Sequence, residues 1–295
     1  MMTVAHLPFT ALVVGLKGVE FLQKLKAINL LPNRIVSYDQ PKDQSRSFSK
    51  IEKLANENNV QFEKSTRPVL GKDELTFTVG WQFLIKNSEA KLIVFHDSLL
   101  PKYRGFAPTV TALINGDTEI GVTALFANDK VDEGPIIAQQ TATISYPLKI
   151  HDALQIQADI MSTLVADILK KREAGALVGK EQDASLATYS IWRDQADYFL
   201  DWSLSADELA RTVNALGFPY EGAKCHYQNE VIVIHEAVVC ADLTFSIRQP
   251  GKIWSIEDGC PVVVCGTGML KIIRAASSNS EIVKFTKLRE RFTGN

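Results

Sequence analysis

Cysteine is scarce in this chain and never paired at metal-binding spacing. Cys225, Cys240, Cys260 and Cys265 include no C-x-x-C, which excludes a zinc finger or a thioredoxin-type redox motif, and no metal site is expected. In a reducing compartment they read as buried thiols, and the sequence leaves open whether Cys260 and Cys265 meet on neighbouring strands. No apolar run reaches the ~18 residues a membrane span needs, and no positive charge precedes the apolar stretch near Met1. The expectation is a soluble, cytoplasmic protein. Charge of one sign is also lacking. A net −2 argues against a protein built around non-specific binding to phosphate backbones. There is no G-x-G-x-x-G; Gly15-Leu16-Lys17-Gly18 reads as glycines easing a tight turn. Internal repeats and low-complexity segments are missing too.

What is present is an ordinary globular composition, 46% apolar and 22% charged over 295 residues. That length suits two domains. The first half alternates strand-like and helix-like segments. Ala11 to Leu16, Arg34 to Tyr38, Val60 to Phe62, Leu75 to Trp81 and Leu92 to Phe95 read as strands. Val19 to Leu31 and Phe48 to Asn58 read as helices. Such alternation implies right-handed βαβ units in an α/β, Rossmann-like doubly wound sheet, with ligands beyond the carboxyl ends of the strands. Ile150 to Arg172 carries a helical apolar stripe ending in Lys170-Lys171-Arg172, where the helix dipole favours cations.

Residues 1–175 therefore form an N-terminal domain, and the polar stretch 176–190 is expected to be a linker. Residues 191–295 change character. Ser205 and Glu208 stand at capping-box spacing before a short helix. Five strand-like runs follow: Glu230 to His235, Leu243 to Ile247, Gly251 to Trp254, Pro261 to Cys265 and Leu270 to Ala275. They suggest a small, OB-like β-barrel.

Most of the chemistry lies between His96 and Gly134. His96 follows an apolar strand, and Asp132 lies in a later Gly-bounded loop, Val131-Asp132-Glu133-Gly134. A histidine and an aspartate converging at a strand end suit acyl-type transfer to an amine. The amine must lose a proton, and the oxyanion needs a hydrogen-bond donor. On spacing alone the two are equally a structural histidine and a turn aspartate.

The wider string weighs further. Ser98-Leu99-Leu100-Pro101-Lys102-Tyr103-Arg104-Gly105, Ala107-Pro108, Asn115-Gly116-Asp117 and Gly121-Val122-Thr123 resemble the 10-formyltetrahydrofolate-dependent formyltransferases, which act on methionyl-tRNA, glycinamide ribonucleotide or sugar nucleotides. The resemblance implies an enzyme using 10-formyltetrahydrofolate as cosubstrate and no metal. It implies catalysis by Asn-x-His and a later Asp, matching His96 and Asp132. The Asn position, however, holds Val94, and Asp97 stands where relatives carry Pro or Gly. Valine donates no hydrogen bond, so the chain is a branch with another donor (a backbone N–H, a water or Asn128), a retired catalyst that only binds, or a copy with an introduced change.

By the same resemblance, the pterin pocket falls on Gly80, Trp81, Gln82, Phe83 and Ile85 and on Asn128, Asp129, Lys130 and Val131. Trp81 and Phe83 also read as plain core aromatics. Val79-Gly80-Trp81 looks like the sugar branch. Asp201 to Leu209 and Asn214 to Ala223 resemble the start of the C-terminal domain of the methionyl-tRNA and aminoarabinose-type enzymes.

Two features bear on the acceptor. Residues 191–295 carry 11 Lys and Arg against 13 Asp and Glu, too acidic for a tRNA surface. Asp39 to Ser47 is short where the tRNA enzymes carry a basic insertion. A nucleotide-linked amino sugar, UDP- or TDP-linked, is therefore expected, with Ser98, Lys102, Tyr103, Arg104 and Tyr220 as contacts. Lys102 and Arg104 read equally as solvated loop charges. Methionyl-tRNA is the alternative, or a non-catalytic folate- and nucleotide-binding homologue. Nucleic acid and membrane are not expected as partners, and a homodimer is plausible by family habit alone.

Overall fold

A computed structural model describes residues 7–41, 43–85, 91–277 and 279–294. The chain divides into two compact units: one running to Thr109 with Glu119–Thr143 and Asp152–Ile191, the other comprising Val110–Thr118, Ile144–His151 and Trp192–Asn295.

The first unit is built on a seven-stranded sheet. In chain order its elements are β1 (Thr10–Val13), α1 (Gly15–Ala27), β2 (Arg34–Ser37), α2 (Ser47–Glu57), β3 (Gln61–Lys64), β4 (Leu75–Val79), β5 (Lys91–His96), β6 (Arg104–Gly105), α3 (Pro108–Asn115), β7 (Glu119–Phe126), β8 (Ile136–Thr143), α4 (Ile150–Glu173) and β9 (Tyr189–Ser190). Most of α3 and the first residues of α4 fall in the second unit. The strand order is β3-β2-β1-β4-β5-β7-β8. The first five are parallel, whereas β7 runs antiparallel to β5 and β8 antiparallel to β7.

Every residue of β1 and β4 is buried, as expected of interior parallel strands covered on both faces. Phe77 on β4 stacks on Phe95 at 5.5 Å and meets Phe9 edge-on at 5.4 Å. The α4 stripe of Ala153, Leu154, Ile160, Met161, Leu164, Val165 and Ile168 is buried. The helix expected from Val19 begins earlier, at Gly15. No side chain caps its first turn, so no N-cap signal marks the start.

The expected linker is tied into this unit. β9 pairs with β6, and Lys180 bridges to Ile136. Strand order reverses between β1 and β4, so a ligand crevice is expected beyond their carboxyl ends. Among the described residues no helix is long and apolar enough to cross a membrane.

The second unit carries α5 (Ala206–Ala215), β10 (Ala223–Tyr227), β11 (Glu230–Cys240), β12 (Ile253–Glu257), β13 (Cys260–Val264) and β14 (Met269–Ser277). Ser205 and Glu208 form the expected capping box on α5. The five strands form one antiparallel sheet, β10-β11-β14-β13-β12. Its two edges are joined by the C-terminal segment, since Thr293 bridges to His226 and Arg291 to Lys252. Phe292 fills the interior between Trp202 at 5.4 Å and Tyr227 at 5.1 Å. The sheet is thereby closed into a small barrel.

Two expectations change. The run Leu243 to Ile247 forms no strand, and Ala223–Tyr227 supplies the fifth. Cys260 opens β13 and Cys265 follows its end, so they sit at opposite ends of one strand. All four cysteines are free, two of them buried. Burial pushes the Cys265 thiol up to about 12.

Candidate active site

His96 ends β5 and pairs with Thr123 of β7. Its imidazole is 7% exposed. Nε2 donates to the Tyr103 carbonyl at 2.8 Å, and Nδ1 faces Asp132 Oδ1 at 3.4 Å. The other carboxylate oxygen of Asp132 accepts from the Gly105 backbone N–H at 2.8 Å. Loop and strand end, 36 residues apart in sequence, thus meet, each side chain held by the backbone of the 103–105 segment.

Burial is the largest influence on His96 and lowers its pKa below 6.5; the Asp132 carboxylate and the Tyr103 carbonyl pull it up, and Lys17 lowers it further. Burial thus favours the uncharged imidazole, against the pull of the carboxylate. With the Nε2 proton held by Tyr103, the Nδ1 lone pair looks at the carboxylate. One proton fits between them.

The segment between His96 and Gly105 is pinned by its own polar groups. Ser98 Oγ donates to the Lys102 carbonyl at 2.5 Å, and Thr123 Oγ1 donates to the Ser98 carbonyl at 2.6 Å. Tyr103 N–H donates to Thr188 Oγ1 at 2.9 Å. Tyr103 and Asp132 both adopt left-handed backbone, at φ 60° and 57°. Non-glycine residues persist there only when their surroundings over-determine them, and such strain concentrates at functional sites.

The Asp132 loop is fixed from below by Gln182, in the segment expected as linker. Its Nε2 donates to the Asp132 and Gly134 carbonyls, each at 2.8 Å, while its Oε1 accepts from Arg104 at 2.8 Å. Sequence reasoning missed Gln182, and no local pattern marks it. Gly134 is required by close approach: a Cβ there would lie 1.8 Å from the Phe126 carbonyl. Gly134→Ala is expected to destabilise the fold by about 1–3 kcal/mol through this overlap. Calorimetric unfolding checks it, and an unchanged transition would refute the steric argument.

The two expected pterin loops border one face of the sheet. Trp81 and Ile85 pack on a buried cluster of Leu12, Val36 and Leu70 that also takes in Leu92 of β5. Ala127, which leads into the other loop, donates its N–H to the Leu92 carbonyl at 3.0 Å. Along β5, Leu92, Val94 and His96 point to one face by strand alternation, and Val94 is half-buried. Tyr38 stands edge-on to Trp81 at 5.2 Å and to Phe83 at 4.9 Å. Trp81 Nε1 is buried without a hydrogen-bond partner. Gly80 takes φ +67° and packs on Val14, whose carbonyl lies 3.0 Å from where a Cβ would stand. Gln82, Asn128, Asp129, Lys130 and Val131 are exposed, and Asn128 Oδ1 accepts from Lys130 N–H at 3.0 Å.

The expected acceptor contacts divide. Ser98, Tyr103 and Arg104 are buried, and Arg104 holds Gln182 and, at 3.7 Å, Glu133. Lys102 is exposed and lies over the Tyr103 ring at 4.5 Å. Tyr220 belongs to the second unit, where burial pushes its phenol up to about 12. No group of three potential ligands for a metal occurs among the described residues.

Comparison with known proteins bears on this arrangement. The formyl transferase signature matches residues 79–156, and the formyl transferase C-terminal domain signature matches residues 193–292. The methionyl-tRNA formyltransferase of Heliobacterium modesticaldum is 33% identical over 183 residues, 59% of this chain and 57% of that protein. The match thus spans little more than half the length of the curated relatives. Among solved structures, WlaRD, a sugar 3N-formyl transferase, superposes with a TM-score of 0.67 at 16% identity, covering 96% of this chain and 100% of that one. An N-formyltransferase from Helicobacter canadensis, in complex with folinic acid and dTDP-3-aminofucose, gives 0.67 at 14% identity over 90% and 98%. With two signatures of one family spanning more than half of its sequence, this chain belongs to the formyl transferase family.

Proposed function

We propose that the chain transfers a formyl group from 10-formyltetrahydrofolate to the amine of a nucleotide-linked amino sugar. The observation that carries this is the buried His96–Asp132 pair, Nδ1 facing Oδ1 at 3.4 Å, at the end of the half-buried Leu92–Val94–His96 face. The pterin-side loops suit a flat heteroaromatic ring: they offer two aromatic side chains, Trp81 and Phe83, both edge-on to Tyr38, and a buried Trp81 N–H that needs an acceptor. Gly80, Trp81, Gln82, Phe83 and Ile85, with Asn128 to Val131, are assigned to holding it. The donor supplies the formyl carbon.

The protein's own part is proton handling. An amine attacks only through its lone pair, so it must shed a proton as the new bond forms. Neutral His96 takes that proton at Nδ1, and the Asp132 carboxylate stabilises the imidazolium. The imidazolium returns the proton to the donor nitrogen as its bond to the formyl carbon breaks and tetrahydrofolate leaves. The Tyr103 carbonyl and the Gly105 N–H hold the two side chains in register.

Support for a sugar acceptor comes from the acidic count beyond Ile191 and from likeness in fold, at full length, to a sugar 3N-formyl transferase. One observation favours methionyl-tRNA instead. The second unit has an open cleft lined by His226, Lys252, Arg289 and Arg291, a local basic patch beside one carboxylate, Glu290.

The experiment mixes protein and 10-formyltetrahydrofolate with a panel of UDP- and dTDP-amino sugars or with methionyl-tRNA, and follows product mass. A gain of one formyl group on a sugar nucleotide is the expected result. Turnover with charged tRNA alone would overturn the charge argument. Folate binding with no turnover would leave a binding homologue.

A further inference from the structure

A second pair of charges lies at the carboxyl end of β5, apart from His96 and Asp132. Asp97 follows His96 directly and is 8% exposed; its Oδ2 is hydrogen-bonded and ion-paired to Lys17 Nζ, whose side chain is 18% exposed. The other carboxylate oxygen, Oδ1, is buried without a partner. The Asp97 carbonyl accepts from Gln157 of α4 at 3.1 Å. Lys17 stands in the first turn of α1, immediately beyond β1 and thus beside the β1–β4 reversal where the crevice is expected.

A buried ion pair is a poor device for stability. Apolar side chains of similar volume serve as well or better, because both ions lose their hydration. A pair kept at a strand end beside a titratable histidine is therefore a candidate for function. The resemblance leads to Pro or Gly at this position, where this chain carries Asp97. Val94 and Asp97 are thus two departures within four residues of one strand end.

We propose that Lys17 and Asp97 are a positioning pair for His96: Asp97 anchors the Lys17 ammonium at the strand end, where its field opposes that of Asp132 and keeps the imidazole a proton acceptor. The charges and dipoles around the ring are Asp132 from the β7–β8 loop, the Tyr103 carbonyl, Lys17 from α1 and, next in the chain, the Asp97 carboxylate paired with Lys17. Asp132 and Tyr103 favour the imidazolium; burial and Lys17 oppose it. Burial draws the Lys17 ammonium itself down to about 8, so it still carries its proton at neutral pH. Without Lys17, the Asp132 carboxylate and the unpaired Asp97 carboxylate would both favour the imidazolium, opposed by burial alone.

The inference rests on His96 as the acid–base group of the proposed reaction, but its test needs neither donor nor acceptor. The His96 ring is titrated by imidazole 1H–15N NMR, its signals assigned by their loss in His96→Gln. In Lys17→Met the His96 midpoint is expected to rise by about half a pH unit or more, and in Lys17→Arg to stay near the parent value. An unmoved midpoint in folded Lys17→Met overturns the proposal. A shift of equal size in Lys17→Arg also overturns it, because a displaced side chain and not a lost charge would be the cause. Should Lys17→Met fail to fold, Lys17→Gln keeps a polar group on Asp97 and is read by the same two criteria.

Discussion

His96→Gln is expected to lower kcat for formyl transfer by about 10³-fold, and Asp132→Asn by about 10²-fold, with the double variant little worse than His96→Gln alone. General acid–base groups contribute about 10²–10⁴-fold, which sets the scale for removing the imidazole. Asparagine at 132 is chosen because it keeps the geometry. Its Oδ1 can accept from the Gly105 N–H, as the Asp132 oxygen does at 2.8 Å, and its amide can donate to Nδ1. The charge that stabilises the imidazolium is lost, and the amide N–H occupies the Nδ1 lone pair that takes the proton. Groups acting as one unit are grossly non-additive, so the double variant separates a pair from two independent contributors. Steady-state kcat for the four proteins, with unfolding temperatures as a control for folding, gives the result. Additive losses, or Asp132→Asn near the parent rate, would show that Asp132 does not work through His96.

Much of this site was legible because its parts are local. The β1 strand read from the apolar run Ala11 to Val14 and β4 from apolar residues alternating with threonine, and both are buried throughout. His96 was legible as the residue after such a run, and the Ser98-to-Gly105 string carried the resemblance. The partners that hold the site were not legible, since each is a long-range contact. Gln182 lies 50 residues from Asp132, and Lys17 lies 80 residues from Asp97. A polar, helix-poor stretch reveals that 176–190 is irregular but not that β9 ties it to β6. In the barrel, Leu243, Phe245 and Ile247 have the period of a strand. Pattern alone cannot supply a partner strand, and Ile247 remains 79% exposed.

Val94→Asn is expected to raise kcat by about 10²-fold. Loss of one oxyanion donor lowers kcat by about 10²–10³-fold, and valine offers no donor where the family resemblance places an amide. Strand alternation sets position 94 on the same face as His96, one residue pair below it. The neighbouring donors are spent within the protein. Gly105 N–H is bound to Asp132, Ser98 Oγ to the Lys102 carbonyl, and Thr123 Oγ1 to the Ser98 carbonyl. A new amide therefore adds a function that these groups do not already fill. Its cost in stability is small, about 1 kcal/mol, because Val94 is half-buried and the amide keeps access to water. KM for the folate should change little, since a donor to the developing oxyanion acts in the transition state and not on the bound ring. Rate and KM measured on parent and variant decide it. An unchanged or lower kcat would mean that another group, with Asn128 the first to test, already supplies the donor. The Lys17–Asp97 pair would then belong to a site rewired around valine, in which His96 is tuned to work beside an oxyanion held from the opposite loop.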